Sequence, residues 1–445
     1  MKKHASVKII LWLRRLPKPA LAMVAAAIVG FITGGLCVVL KLLISLISLS
    51  VDIPAEKGLH WQLLVLPLIG LVLANVFSRF LLKTRLSRGT EHLIGFLRSG
   101  GYGMSCKYLF GPIIANSFTL GFGGSGGAES PIAVTGAAVG SRLGLLLGLK
   151  PEHVRMLIGC GAGAGIAAIF KAPVGGLLFT LEILRLPYNT FTFLTLLLSC
   201  VASSLTCFIL TGFTFDVYLQ HTVQFEPRFY LGVMVFGILS GVYSIYYSSI
   251  SRLSGRLYTK IRNVYMRVSL AGICLGIIIM ILPAFYGEGY GVMDRMLNGD
   301  LGALSASGSF AGAVEWELVA VVGALLILKC VVVGITTYVG VAGDFAPALF
   351  AGSLAGMLFA MVVNMTGLAI LPVSDFALIG MCAVFSGVIR APFMAMFLTA
   401  EMTGNFTLFL PMVLASALSY GVMRLITDKN YYHESVTPAG IDTDN

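Results

Sequence analysis

Charge is what this sequence has least of. Asp, Glu, Lys and Arg make up 11% of its 445 residues, whereas soluble domains carry roughly 25%. That scarcity excludes an ordinary soluble fold. Histidine is sparse too: His4, His60, His92, His153, His221 and His433 are scattered along the chain. They form no metal-ligand cluster and no Ser/His/Asp grouping, which argues against an enzyme. The eight cysteines lie mostly inside apolar stretches without CxxC spacing, so they read as packing residues and imply no disulfide framework. No low-complexity tail or linker interrupts the chain, which reads as one compact unit.

What is abundant is apolar: 57% of the residues are hydrophobic. Runs such as "LVAVVGALLILKCVVVGITTYVG" approach or exceed the ~20 residues a spanning helix needs. About ten to twelve such segments are expected, several broken by Gly or Pro. The opening stretch "MKKHASVKIILWLRRLPKPALAMVAAAIVGF" carries basic residues on both sides of a short apolar piece, with no small-residue cleavage site before the long span, so it is not a cleavable signal. The net charge of +10 is laid out for orientation, not for nucleic acid. Lys2, Lys3, Lys8, Arg14, Arg15 and Lys18 precede the first span, Lys83, Arg85 and Arg88 follow the second, and Arg252, Arg256, Lys260, Arg262 and Arg267 share another loop. "VDIPAEKGLHW" and "FDVYLQHTVQFEP" are poor in base. The N-terminus is therefore expected in the cytoplasm.

The chain repeats itself. "KAPVGGLLFTLEI" begins at Lys171 and "RAPFMAMFLTAEM" at Arg390, an offset of 390 − 171 = 219, with Pro173/Pro392, Thr180/Thr399 and Glu182/Glu401 identical. Upstream of each stands a glycine-rich break ending in proline, "GAESP" at 127–131 and "GDFAP" at 343–347, offset by 347 − 131 = 216. Repeated halves with interrupted helices are a common transporter build, in which half-helix N-termini face a substrate near the midplane. A packing motif duplicated with the fold is the alternative.

"GFGGSG" at 121–126 matches G-x-G-x-x-G in letters alone, because its flanks are membrane-apolar and no soluble βαβ unit surrounds it. A glycine seam for helix packing explains the glycines but leaves Glu129 unaccounted for. Pro131 suits a first helical turn, which puts Ala128, Glu129 and Ser130 at a helix start whose free N–H groups attract anions. The Glu129 carboxylate can take the place an anion would occupy there, and protonation removes that claim. The pattern points to an anion pathway with a carboxylate gate.

These residues resemble the CLC family of chloride channels and chloride/proton antiporters. The family's G-x-E-G-P appears as "GAESP" and its G-x-F-x-P as "GDFAP", and the likeness extends through "GAGIAAIFKAPVGGLLFTLEIL" and "GMCAVFSGVIRAPFMAMFLTAEMTGNFTLFLPMVL", covering about residues 20 to 435. The resemblance implies an all-α polytopic membrane protein of two inverted repeats with broken and re-entrant helices. Its divisions are then a cytoplasmic segment 1–18, a first repeat 19–215, an external loop 216–227, a second repeat 228–435 and a short cytoplasmic tail 436–445. It implies Glu129 as the gating acid and proton acceptor, and a central anion held by the N–H groups of Asp344 and Phe345, the Tyr432 hydroxyl (Tyr431 if the frame slips) and the Ser87 hydroxyl. Ala128 and Ser130 flank the gate. "LSRGT" lacks the glycines and proline that surround the family's serine, and Arg88 beside Ser87 reads as a cytoplasmic-surface residue. Asp344 reads as a helix N-cap, since a carboxylate aimed at an anion would repel it.

Antiporters of the family usually carry a second, inner glutamate, and Ile183 stands at that position here. A hydrocarbon carries no proton. Glu182 is then a possible inner relay through water, or a structural residue repeated as Glu401. The expectation is secondary exchange of chloride for protons, with a passive chloride channel as the alternative. The remaining expectations are a homodimer with one pathway per subunit in the inner (plasma) membrane, both termini cytoplasmic, no metal and no cofactor, chloride being the substrate.

Overall fold

The computed structural model describes residues 17–50, 61–84, 86, 89–213, 217, 226–300 and 315–427. Arg85, Ser87, Arg88, Tyr431 and Tyr432 lie outside them, as does most of the expected 216–227 loop. The described chain is helical, its sole β feature being an isolated bridge between Gly127 and Gly343. The first half runs α1 (Lys18–Ser50), α2 (Gln62–Val76), α3 (Gly89–Arg98), α4 (Lys107–Gly121), α5 (Glu129–Leu146), α6 (Pro151–Ile169), α7 (Pro173–Leu178) and α8 (Thr190–Thr211). The second runs α9 (Tyr230–Thr259), α10 (Val264–Ile281), α11 (Tyr290–Leu297), α12 (Glu315–Val339), α13 (Phe345–Thr366), α14 (Val373–Ile389), α15 (Pro392–Thr403) and α16 (Phe409–Ile426).

Among the described residues 8 helices are long and apolar enough to cross a membrane: α1, α2, α8, α9, α10, α12, α13 and α16. That is fewer than the ten to twelve expected. The difference has a physical reason: α5, α6 and α14 lie almost wholly inside the molecule, so they need no long lipid-facing stripe. The outer helices supply that stripe, with Phe31, Leu46, Ile209, Leu231 and Leu253 all well exposed as lipid-facing side chains are.

The inner helices pair in matched fashion. Gly136 of α5 meets the Gly161 carbonyl of α6 so closely that a Cβ would overlap it, and Gly352 of α13 meets Gly380 of α14 in the same way. The repeat offsets hold here too, 352 − 136 = 216 and 380 − 161 = 219. Small residues let helix backbones approach within van der Waals reach, and here they do so twice.

The "[KR]AP" motif also acquires a local cause. Lys171 and Arg390 adopt left-handed backbone, with φ of 55° and 61°, which ends α6 and α14. Pro173 and Pro392 then open α7 and α15, at the position where proline's missing N–H costs nothing. Each motif is thus a helix–turn–helix joint.

The acids that follow these joints hold the halves together. Glu182, in the π-helical turn Phe179–Ile183 after α7, accepts the N–H of Phe393 (3.2 Å) and Met394 (2.6 Å) at the start of α15. Glu401 of α15 accepts the N–H of Val174 (3.1 Å) and Gly175 (2.9 Å) at the start of α7. Each carboxylate caps the other half's helix, where free N–H groups and the dipole favour negative charge. Such reciprocal bonding is the mark of a twofold relation between inverted halves.

Candidate anion gate

The chain leaves α4 at Gly121 and re-enters a helix at Glu129, and on the other side leaves α12 at Val339 and re-enters at Phe345. The two breaks meet. Gly127 N–H donates to the Gly343 carbonyl at 3.0 Å, and Gly343 N–H returns the bond to Gly127 at 2.7 Å. Asn116 steadies both strands of this bridge, its amide donating to the carbonyls of Val341 (2.7 Å) and Gly127 (3.4 Å). The heads of α5 and α13 are thereby set side by side in the buried middle of the molecule.

Glu129 occupies the space between them. Its side chain is 0% exposed, and Oε1 accepts the N–H of Phe345 at 2.6 Å and of Ala346 at 3.4 Å. These N–H groups stand at the head of a 22-residue helix, where the helix itself supplies no acceptor for them, a site disposed to hold an anion. Oε2 is buried with no hydrogen-bond partner. The glycines of both breaks make room for the carboxylate, because a Cβ on Gly127 or Gly343 would overlap it. Phe345 is fixed from both sides by Phe179, at 5.9 Å between ring centroids, and Phe385, at 5.3 Å.

The carboxylate therefore covers a helix start, but not the one expected. The sequence reading set Glu129 against its own helix, whereas it reaches across to the other half. Its own helix start is covered by a different acid: Ala128 N–H donates to Glu288 Oε1 at 3.1 Å. Asp344 stands at the N-cap position of α13 but makes no capping bond with its side chain, so the N-cap reading is corrected. The N–H groups it would have satisfied are taken by Glu129. The Ser130 hydroxyl accepts the N–H (2.9 Å) and hydroxyl (2.8 Å) of Thr90 and so anchors α3 to α5. Ser87 and Tyr432 fall outside the described residues, and Glu182 lies at the α7–α15 joint, not at this site.

A cavity of about 10 Å³ adjoins the first turn of α5, lined among others by Leu86, Gly89, His92, Tyr108, Ser130 and Pro131. It has room for about one water-sized particle. His92 stacks on Tyr108 at 5.3 Å between centroids and forms one wall.

Two residues escaped the sequence reading. Glu288 sits in "YGEGYG", an acid in a glycine-rich break as Glu129 is, and that likeness was its only signal. Lys329, on α12, is 0% exposed. Its Nζ donates to Ser125 Oγ at 2.9 Å and lies over the rings of Phe350 (4.5 Å) and Phe285 (5.4 Å), tying α12 to the glycine-rich break. An ionisable residue inside an apolar span is a functional signal by default, and it was in plain view. No group of three or more His, Cys, Asp or Glu among the described residues could hold a metal ion.

Known proteins resemble this chain in sequence and in fold. Residues 69–424 match the family model described as voltage gated chloride channel. A putative ClcB-like chloride channel protein of Ralstonia nicotianae is 28% identical over 373 residues, 81% of this chain and 82% of that protein. The H(+)/Cl(-) exchange transporter ClcA of Vibrio cholerae is 29% identical over 314 residues, 67% of this chain and 62% of the relative's length. Among solved structures, a slow cyanobacterial Cl-/H+ antiporter superposes with a TM-score of 0.79 at 22% identity, over 92% of this chain and 96% of that one. A CLC-type fluoride/proton antiporter follows at 0.73 and 19%, over 91% and 95%. With residues 69–424, most of the chain, matched by the family model, the chain belongs to the CLC family of voltage gated chloride channels.

Proposed function

We propose that this chain exchanges chloride for protons, with Glu129 as both gate and proton carrier. The observation that carries the reading is the Glu129 carboxylate on the Phe345 N–H at 2.6 Å. As a carboxylate it fills the position an anion would take. As a neutral acid it is a poor ligand for those N–H groups and leaves them to chloride. One side chain thus ties the two ions together, since a proton must arrive before the anion can pass. Relatives that bear the name of H(+)/Cl(-) exchange transporter support this reading.

In the same reading the central chloride is held by the N–H groups of Asp344 and Phe345 with the hydroxyls of Ser87 and Tyr432, and Ala128 and Ser130 border its outward path. Neutral donors suit an ion that must bind and leave. Ile183 cannot pass a proton, so the inner leg runs through water, with Glu182 as its relay from the cytoplasmic side. No cofactor takes part. The protein works as a homodimer in the inner membrane with both termini cytoplasmic and one pathway per subunit.

The test is reconstitution in liposomes with chloride and pH recorded together. An outward chloride gradient should drive protons inward against their own gradient. Chloride movement without proton uptake, with a reversal potential at the chloride Nernst value under every pH gradient, would establish the passive channel instead.

A further inference from the structure

Glu129 is not the only carboxylate on these helix starts. Between α10 and α11 the residues from Phe285 to Glu288 grip the glycine-rich break along its length. The Phe285 ring lies under the Lys329 ammonium that donates to Ser125. The Tyr286 hydroxyl donates to the Gly121 carbonyl at 3.2 Å. Glu288 Oε1 accepts the Ala128 N–H at 3.1 Å. The last contact falls one residue before Glu129, at the head of an 18-residue helix.

We propose that Glu288 is a second carboxylate gate, covering the head of α5 as Glu129 covers the head of α13. The proposal rests on the exchange reading above and deepens it. An anion between the two breaks draws on N–H groups from both helix starts, and each start now holds an acid. The Glu129 Oε2 oxygen, buried and without a hydrogen-bond partner, marks the space between the starts as one whose polar group is left unsatisfied. When Glu129 leaves, the anion gains the Phe345 and Ala346 N–H groups, yet the Ala128 N–H stays taken while Glu288 is ionised. Protonation of Glu288, from water on the side to which α10 leads, frees that last donor and removes a negative charge from the anion's path. With the basic loop before α10 in the cytoplasm, that side is the outer one.

Glu129 and Asp344 add negative charge at the two helix heads, and Lys329 is the cation at the break. The phenols of Tyr286 and Tyr290 flank the acid in its own segment, with Asp294 and Arg295 further along α11. Glu288 bonds the N–H of the residue next to Glu129, and neighbouring like charges disfavour ionisation of both acids together.

The discriminating experiment is calorimetric chloride titration of the full chain in detergent, at pH 5 and pH 8, in a Glu129→Gln background that removes the first gate. With Glu288 present, chloride should bind about tenfold more tightly at pH 5 than at pH 8, a difference of about 1.4 kcal/mol. In Glu129→Gln/Glu288→Gln that pH dependence should vanish, with affinity at pH 8 rising to the pH 5 value. Gln is neutral like the protonated acid and of the same length, so a purely structural role for Glu288 leaves the pH dependence of the single variant intact in the double variant, and that outcome overturns the proposal. Should the double variant fail to fold, Glu129→Gln/Glu288→Asp serves instead: the shorter acid competes less well and must tighten binding at pH 8, and equal affinity there overturns the proposal as well. Proton uptake by the wild type in liposomes is read separately. Its absence would sink the exchange reading while leaving the titration to decide Glu288.

Discussion

The two halves of the molecule use their acids differently, and the difference separates structure from function. Glu182 and Glu401 are repeat mates, and each caps the helix of the opposite half with the same geometry. Glu129 has no such mate. The residue 216 positions on is Phe345, whose N–H the Glu129 carboxylate accepts. A feature present twice is what an inverted fold needs at its joints, whereas a feature present once breaks the twofold relation and stands where the gate is proposed. The largest expected effect follows from that asymmetry. Glu129→Gln resembles the permanently protonated acid, so chloride flux in liposomes should continue while proton coupling falls to background. Proton movement at the wild-type ratio would remove Glu129 from the gate.

The symmetric features predict symmetric damage. Gly136→Ala and Gly352→Ala each place a methyl group on a facing carbonyl, and overpacking of this kind costs about 1–3 kcal/mol. Both should lower the thermal midpoint in detergent by similar amounts. A large loss in one half with none in the other would break the comparison between the seams. Glu182→Ala and Glu401→Ala come next. Each leaves two N–H groups at a helix start without their acceptor, at about 2 kcal/mol or so for the partly buried pair. Coupling sharpens this comparison further: if Glu182 also relays protons, Glu182→Gln alone should slow proton-coupled flux, and Glu401→Gln should not. Equal transport by the two glutamine variants would leave Glu182 a cap like its mate.

The sequence made the fold legible at the level of length and repetition. Apolar runs marked the spans, and the matched prolines at 131 and 347 marked the halves. Glu129 was legible because an acid between glycines and a proline has no packing use in a membrane. What stayed hidden were bonds that cross between halves. Nothing local to Ala128 announces that its N–H will meet Glu288, 160 residues away. Asp344 was misread for the same reason. N-cap preference assumes that the capping side chain competes only with water, and here a carboxylate from the other half holds those N–H groups. Lys329 was hidden only by its surroundings, since a run of apolar residues invites reading as a span and nothing more.

Lys329 supplies the smallest expected effect and one more contrast with Glu129. Both are fully buried ionisable residues, but the acid has helix N–H groups for partners, while the base has one hydroxyl and two aromatic faces. Among the described residues no carboxylate lies within ion-pair reach of its Nζ. Desolvating an ammonium costs several kcal/mol, and contacts with aromatic faces return about 2 kcal/mol when water is excluded. The Ser125 bond adds about 1 kcal/mol more. These terms nearly cancel, so methionine, unbranched and of similar length, should fill the site with little net change. Lys329→Met is expected to alter stability by less than about 1 kcal/mol, read as a nearly unshifted thermal midpoint. Its effect should appear instead at the break that Ser125 belongs to, as weaker chloride binding in calorimetry once the positive charge is gone. A loss of stability beyond about 3 kcal/mol with unchanged chloride affinity would show that Lys329 is a structural pin for the glycine-rich break and takes no part in drawing the anion to the gate.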